Sequence, residues 1–354
     1  MSNNISTMGQ LLDNSARLRD IRAQLNDLQI QLSSGKKTNL FAGLDEAVIP
    51  QQRTRADLNH IDVYKTNITV GKTRISTILE TLSEIREQAK NFADSMGLEL
   101  QKGDVDFNSM KEFARTTSEY LRTLVDVRDG DRYLLAGSDA FTKPMDDTGA
   151  HDTYMTNLLE DWKDGTITTD TLLSSYKATP ETTMGYSPAL SSGTTTGVFV
   201  RADVSVDLEY TMLGDSDGIK DILNAMTLFK NVVLDKIALE EDDNPLTTET
   251  APGATEDEQR DNFFEMFEDV IKTVNAGIQD LEIEEQRLQR VHLQLGTIEQ
   301  DHISDKNALE TTLGQIEDAD PAEVAVRINA LQIQLTAAYQ VTARLGQQSL
   351  TNFI

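Results

Sequence analysis

The sequence contains no cysteine, a single tryptophan and seven prolines in 354 residues, and aromatic side chains make up only 6% of it. Without cysteine the chain has no disulfide framework and no cysteine-ligated metal. Aromatic residues supply much of the buried area in compact cores, and the hydrophobic content here is only 38%. We therefore predict an elongated protein rich in amphipathic helix rather than one compact globule.

Long apolar runs are also missing. No stretch approaches the length of a membrane-spanning helix, so we expect no membrane insertion. Residues 1–10 are polar and lack the apolar core of a secretory signal peptide. If the protein leaves the cell, we expect it to do so without a cleaved Sec signal.

Basic side chains are scarce, and their distribution is uneven. The net charge is -27, but residues 1–40 carry five basic and three acidic side chains and residues 321–354 carry two basic and one acidic. The middle of the chain is therefore strongly acidic, which argues against nucleic acid as a partner because phosphates need a basic surface. Nearly neutral ends favour dense packing of many copies. Ordinary solubility charge is the alternative interpretation of the acidity.

Motifs for catalysis and for cofactor binding are absent from the sequence. There is no phosphate-binding loop, no dinucleotide fingerprint and no Gly-x-Ser-x-Gly. The four histidines are scattered without metal-ligand spacing, so we expect them to be solvated surface residues. Residues 215–218 resemble part of a calcium loop but lack its later ligands, so we expect a turn that begins a helix. We predict no enzyme, no cofactor and no metal site.

Both ends of the chain carry apolar residues at heptad spacing, which is typical of coiled coils. Gly35 is expected to end the first helix, and Asp320 followed by Pro321 to begin the last one. Ile333, Val341 and Leu350 form a second apolar edge on the last helix. We predict that the two terminal helices pack on each other and on neighbouring subunits through Leu11, Leu18, Ile21, Leu25, Leu28, Leu32, Val324, Ile328, Leu331, Leu335, Leu345 and Leu350. A purely intramolecular core is the alternative.

The middle of the chain has helical periodicity on both sides of a segment rich in Thr, Ser, Gly and Asp. Helices are predicted at about 46–95, 107–129, 219–239 and 259–316, with a turn over 94–106 and a mobile loop over 240–258. Within the polar segment, alternating valines between Thr194 and Leu208 predict strands. Trp162 is expected in the core of this insert.

The predicted fold class is mainly α with a β-rich insert. We expect an elongated helical rod with the terminal helices paired as a coiled coil at one end and a small β domain at the other. The predicted domains are residues 1–40 with 320–354 (terminal coiled coil), 41–137 with 219–319 (helical rod) and 138–218 (β-rich outer domain).

Four local motifs carry a resemblance to a known family. Residues 32–37, Leu-Ser-Ser-Gly-Lys-Lys, resemble the helix-ending signature of the bacterial flagellin family, and residues 82–89 resemble its Leu-x-x-Ile-Arg-Glu-x-Ala element. Residues 132–138 with Pro144, and the chain end at 345–354, are more similar to the family's hook–filament junction members than to flagellin itself. The family's usual Asp-Asp pair after the first signature is replaced by a different sequence at residues 41–47.

The resemblance implies a structural component of the bacterial flagellum at the hook–filament junction. It also implies a location outside the cell, export as an unfolded chain through the flagellar type III channel, and assembly with copies of itself as a ring or filament. The implied further partners are a neighbouring hook-associated protein, flagellin, and an export chaperone on the C-terminal helix. The alternatives are flagellin, as the filament subunit, and a secreted coiled-coil adaptor.

Overall fold

The computed structural model describes residues 2–38, 46–102, 107–232 and 251–351. These residues are mainly helical, with two small antiparallel sheets of two strands each, which confirms a mainly α fold with a small β part. The elements are α1 (Ser2–Ser34), α2 (Val48–Lys102), α3 (Phe107–Val125), β1 (Arg128–Asp129), β2 (Arg132–Tyr133), α4 (Ala150–Lys163), α5 (Thr169–Lys177), α6 (Glu181–Met184), α7 (Pro188–Ser191), β3 (Phe199–Asp203), β4 (Val206–Glu209), α8 (Asp217–Lys230), α9 (Glu256–Glu317) and α10 (Pro321–Thr351).

The chain divides into two compact units. Unit 1 contains residues 1–63 and 301–354, and unit 2 contains residues 64–300. The three domains expected from the sequence have other boundaries and stay a prediction.

The ends of the terminal helices follow the predicted signals. Gly35 has a left-handed φ of 69°, and its amide donates to the carbonyl of Gln31 at 2.8 Å, which closes α1. At the start of α10 the Asp320 side chain accepts from the amides of Ala322 (2.8 Å) and Glu323 (3.4 Å). Both predicted boundaries are confirmed.

Unit 2 is organised around a buried aromatic cluster contributed by four helices. The Phe92 ring meets those of Phe113 and Phe229 edge to face, with centroids 5.9 Å apart in each pair, and Phe229 meets Phe267 at 5.4 Å. Phe92, Phe229 and Phe267 have no solvent exposure. Four phenylalanines, one from each helix, thus meet where α2, α3, α8 and α9 pack together.

The predicted ends of α2 and α3 were wrong. The turn expected over 94–106 does not begin at Asp94, because α2 continues through Gly97 to Lys102. Burial of Phe92, Ala93 and Met96 on one face outweighs the helix-propensity cost of Gly97, which is about 1 kcal/mol. Conversely, α3 ends at Val125 instead of Asp129, since the next residues form the β1–β2 hairpin with Gly130 at a left-handed φ of 61°.

The segment 138–218 is more helical than its polar composition predicted. The strands lie only in the β3–β4 hairpin, at the alternating valines, whereas α4 to α7 fall between residues 150 and 191. Met155, Leu159 and Trp162 are spaced for one helix face and are buried, so a helical period lies within the Thr- and Ser-rich sequence. Trp162 is a core residue, as expected, with 1% exposure. The buried side chains of the segment 138–218 form one continuous core with those of α3, α8 and α9.

Parts of several expected loops fall outside the described residues. These are residues 39–45 of the connector, residues 103–106 of the turn and residues 240–250 of the loop expected over 240–258. The helix predicted from Ile219 to Leu239 begins at Asp217, and its expected end was wrong, because the helix ends at Lys230 with Asn231 as its C-cap. Helix α9 begins at Glu256, three residues before its expected start at residue 259.

Helices α8 and α9 approach closely at a pair of glycines. A Cβ on Gly277 would lie 2.7 Å from the carbonyl oxygen of Gly218 and 2.8 Å from Cγ1 of Ile222. The two helix backbones are therefore in contact here, and only glycine allows that distance.

We expect Gly277→Ala to lower the free energy of unfolding by about 1–2 kcal/mol, because separating two packed backbones costs about 1–3 kcal/mol and the better helix propensity of alanine recovers part of that. Gly97→Ala is the matched control, since a Cβ at that helical position meets nothing within 4 Å. The control should raise stability slightly. Urea unfolding followed by circular dichroism measures both, and equal effects would contradict the close approach.

Candidate assembly surface

Helices α1 and α10 pack antiparallel in unit 1. Near the middle of α1, Nε of Arg22 donates to the Tyr339 hydroxyl at 3.0 Å, and the guanidinium lies 5.6 Å from the centre of the same ring. At the other end of the pair, Nζ of Lys36 bonds the Asp318 carboxylate at 2.6 Å. Since residue numbers rise along one helix as they fall along the other, these contacts define the direction and the register.

The residues predicted for the heptad seam lie mostly between the two helices. Leu28 and Val324 are buried, with 8% and 5% exposure. The rest of the seam is half-buried, because two helices alone cover each other from one side. The half-buried members are Leu18, Ile21, Leu25, Ile328, Leu331 and Leu335. Eight of the twelve predicted residues are therefore buried or half-buried on this pair, and their role in contacts between subunits stays a prediction.

The other four residues are placed differently or not described. Leu32 was expected in the seam, but its side chain is 47% exposed, and Gln31 is half-buried beside it. The heptad ends here because α1 closes at Ser34 and the chain turns at Gly35. The side chains of Leu11, Leu345 and Leu350 lie outside the described residues.

A second set of apolar side chains faces away from the seam. Val326, Ile333 and Val341 on α10 are 68%, 71% and 50% exposed, and Ile30 on α1 is 42% exposed. Unit 1 holds about a third of the chain, yet it carries about half of the large exposed apolar side chains among the described residues. Clustered exposure of this kind marks interaction surfaces.

A groove of about 410 Å³ follows one flank of the pair. Its floor is apolar, formed by Leu28, Ala330 and Leu331, and its rim is polar, with Gln24 and Arg327 among the rim residues. An apolar floor beside exposed Val326 and Ile333 has the character of a helix-docking surface.

A buried carboxylate anchors the base of the helix pair. Glu317, only 6% exposed, accepts from Nε2 of Gln51 at 2.8 Å, from Nε and Nη2 of Arg55 at 2.9 and 2.7 Å, and from Nζ of Lys36 at 3.2 Å. Burial raises the pKa of the Glu317 carboxyl, but hydrogen bonds from Gln51, Arg55 and Lys36 lower it more, so that this pKa lies below its ordinary value. The charge of Glu317 thus joins three helices.

The backbone beside Glu317 is tied in the same way. The amide of Lys37 donates to the Glu317 carbonyl at 2.7 Å, and the amide of Ala319 donates to the Gly35 carbonyl at 2.9 Å. The Lys37 ammonium also caps the last turn of α9, at 2.5 Å from the carbonyl oxygen of Gln315. The sequence identified the Gly-Lys-Lys motif as a helix end, but nothing in the sequence indicated that its lysines bind the α9–α10 turn.

Two of the four histidines are not solvated, which contradicts the expectation. His151 and His302 are 3% and 5% exposed, whereas His60 is exposed as expected. His151 packs against Arg122 in unit 2. The segment 215–218 begins α8, as expected: a turn at 214–215 leads to Ser216 in the N-cap position, and Asp217 and Gly218 are the first helical residues.

Within the described residues, no group of three or more His, Asp or Glu side chains could hold a metal ion. A concavity of about 580 Å³ in unit 2 is lined by Asp215, Asp217 and Asp280, together with apolar residues. Across the described parts of the chain, no helix has the length and hydrophobicity needed to span a bilayer.

Comparison with known proteins bears on the C-terminal part of the surface. The family model for the bacterial flagellin C-terminal helical region matches residues 265–354, which include all of α10 and most of α9. This part of the chain is similar to the C-terminal helical region of bacterial flagellins. The resemblance to the bacterial flagellin family that the motifs predicted is confirmed there.

No curated protein sequence matches the chain. The chain is similar to a solved structure from Vibrio parahaemolyticus, with 12% sequence identity and a TM-score of 0.49. That protein is described as a proposed flagellar hook-associated protein. The match covers 76% of this chain and 97% of that one.

We expect Glu317→Gln to destabilise unit 1 by about 1–3 kcal/mol near neutral pH, because its charge-assisted hydrogen bonds are lost. The pKa of Glu317 is lowered in the folded state, so its contribution is present above the ordinary glutamate range and is lost as pH falls through the lowered value. The variant should lack this part of the pH dependence. Hydrogen–deuterium exchange of α10 amides measures the effect locally.

Glu323→Gln serves as the control for this experiment. Glu323 forms an exposed i,i+4 pair with Arg327 on the same helix, and such pairs contribute about 0.3–0.5 kcal/mol. If both variants change α10 exchange equally, the Glu317 contacts do not anchor the helix pair.

Proposed function

We propose that this protein is a structural, non-enzymatic component of the bacterial flagellum that joins the hook to the filament, of the hook-associated protein 3 type. The observation that carries the proposal is the antiparallel α1–α10 pair with apolar side chains left exposed on its outside, since α10 lies wholly inside the flagellin-type region. A pair that covers only half of its own apolar surface requires neighbours.

In the proposed assembly, each subunit contributes its α1–α10 pair to a common tube. Exposed Val326, Ile333 and Val341 contact neighbouring pairs, and the groove beside Leu28 and Leu331 receives an apolar ridge of the next subunit. The nearly neutral charge of both terminal segments keeps repulsion small when many copies pack together. The acidic remainder of the chain stays solvated.

The junction role, as distinct from that of flagellin, rests on residues 132–138 with Pro144 and on the chain end. In unit 2 the first of these segments begins at β2, where the Tyr133 amide donates to the Ala140 carbonyl at 2.7 Å. The Arg128 guanidinium lies 4.3 Å from the centre of the Tyr133 ring, and Leu135 is fully buried. The motif therefore has a structural reason to be kept, while its link to the junction comes from the resemblance.

The same proposal includes the route and the partners. The chain would leave the cell unfolded through the flagellar type III channel, with a chaperone covering the apolar faces of α10 until export. Outside the cell it would bind a neighbouring hook-associated protein on one side and flagellin on the other. The α1–α10 seam is half-buried in the single chain and would be fully buried only in the assembly, so the single chain would be less stable than the assembled subunit. Low stability of the single chain is compatible with export in an unfolded state.

Deleting the gene tests the function directly. Cells should show bare hooks by electron microscopy, and flagellin should appear in the medium by immunoblot, because exported subunits would have no junction to attach to. Re-expression of the wild-type chain should restore filaments.

Two other results would overturn the proposal. Bare hooks with no flagellin in cells or medium would identify the chain as flagellin, the filament subunit. Normal filaments and motility would favour a secreted coiled-coil adaptor.

Substitutions on α10 separate pairing within the subunit from contact between subunits. Leu331→Asp should disrupt the α1–α10 pair and abolish incorporation, because it places a charge in a seam that is half-buried before assembly. Ile333→Asp should leave the pair intact and still reduce incorporation, since its side chain is 71% exposed in the single chain.

Gln332→Asp is the matched control, because it adds the same charge on the intervening exposed position. Incorporation is measured by complementation and electron microscopy, and folding of unit 2 by the fluorescence of Trp162. Normal incorporation of both Leu331→Asp and Ile333→Asp would exclude this surface as the assembly contact.

A further inference from the structure

Arg122 is a buried cation in unit 2, and its hydrogen-bond acceptors among the described residues are neutral. Arg122 on α3 is 9% exposed, and its Nη1 donates to the Met184 carbonyl at 3.0 Å and contacts Sδ of Met145 at 3.2 Å. Its Nη2 lies 2.7 Å from Nδ1 of His151, the second residue of α4. A guanidinium in a core without a carboxylate among these contacts depends on each of them, because a buried charge is costly to leave unsatisfied.

The contact with Arg122 determines the protonation state of His151. Arginine has only donors, so Nδ1 of His151 must accept, and the ring proton belongs on Nε2. The ring is 3% exposed, and Asn224 on α8 lies beside it with 1% exposure. Among the described residues, Nε2 of His151 and Oδ1 of Asn224 are both buried without a hydrogen-bond partner, so a proton on Nε2 has the Asn224 side chain as its nearest acceptor.

Charged groups face His151 from three helices. Arg122 on α3 and Lys230 on α8 are cations, and Asp152 follows His151 on α4. Asp152 is already engaged, because its carboxylate accepts from Lys230 at 2.7 Å and from Asn231 at 3.0 Å. A proton on Nδ1 would therefore place a second cation against Arg122, and Asp152, already paired with Lys230, would balance it only in part.

We propose that Arg122 and His151 form an acid-released latch that holds α4 and the end of α6 against α3. In the closed state neutral His151 accepts from Arg122, while the same guanidinium binds the Met184 carbonyl at the end of α6. Protonation of Nδ1 removes the acceptor and adds repulsion. The open state has His151 in water and α4 detached from Arg122.

The latch responds to pH between the ordinary pKa of histidine and the lowered pKa of His151 in the closed state. Burial, and then the charge of Arg122, lower the pKa of His151 from its ordinary 6.5 to about 3, against weaker opposing contributions from Asn224 and Asp152. The open state binds a proton more readily than the closed state between these two values. The open-to-closed ratio therefore rises about tenfold for each pH unit below the ordinary value, and the closed state keeps its full advantage above it.

The only tryptophan of the chain reports on α4 directly. Trp162 is 1% exposed, and its Nε1 donates to Oγ1 of Thr169 at 3.2 Å. On acidification of the full-length protein from pH 7 to pH 3, we expect the Trp162 emission to shift to the red before helical circular dichroism is lost. In His151→Gln, whose amide oxygen accepts from Arg122 but does not titrate, this shift should move at least one pH unit lower.

His60→Gln is the control, because His60 is exposed and belongs to unit 1; it should leave the Trp162 transition unchanged. If His151→Gln does not fold at pH 7, an NMR titration of His151 in the wild-type chain decides, and ring protonation should coincide with the Trp162 shift. The latch is refuted if the Trp162 shift is the same in wild type and His151→Gln, or if His151 protonates while Trp162 stays buried. These experiments use the monomer, so their outcome does not depend on the flagellar role.

Discussion

The pairing of α1 with α10 is the contact on which unit 1 depends, and two helices cannot bury a full apolar surface between them. Leu28 and Val324 are buried, but most of the seam is half-covered, and Val326 and Ile333 point outward. The hydrophobic stabilisation of this unit therefore remains incomplete in the single chain, because it scales with the area removed from water. In the proposed assembly, neighbouring copies would supply the missing area and with it the rest of the stabilisation.

Polar contacts give this pair a defined position that its apolar seam alone would not. Glu317 binds side chains from the end of α1 and from α2, and Lys37 caps α9. A coiled-coil seam tolerates shifts by a heptad, whereas a buried carboxylate with specific donors does not. Unit 2 differs, since its aromatic cluster has fully buried members and two of its helix backbones meet at Gly218 and Gly277.

The sequence predicted the ends of α1 and α10 well, because Gly35 and the Asp320-Pro321 pair are local signals, whereas the full set of seam residues stays a prediction. It predicted α4 to α7 poorly, since the helical period of Met155, Leu159 and Trp162 is diluted by Thr, Ser and Asp that composition assigns to loops. The Glu317 contacts and the Arg122–His151 contact were not predictable, because each joins residues far apart in sequence through a fold that spacing does not specify. The turn expected near Gly97 failed for the opposite reason, as burial of neighbouring side chains overrode a local preference.

The antiparallel direction of α1 and α10 has a practical consequence for imaging this protein. A fusion to either terminus would extend from the same end of the helix pair, beside the surface proposed for assembly. The turn between α4 and α5 offers an alternative, because Asp164, Gly165 and Thr166 are exposed there and belong to unit 2. Since the chain has no cysteine of its own, a single Thr166→Cys substitution would accept one maleimide dye at one known position. No native cysteine has to be replaced first, and no bulky tag is needed.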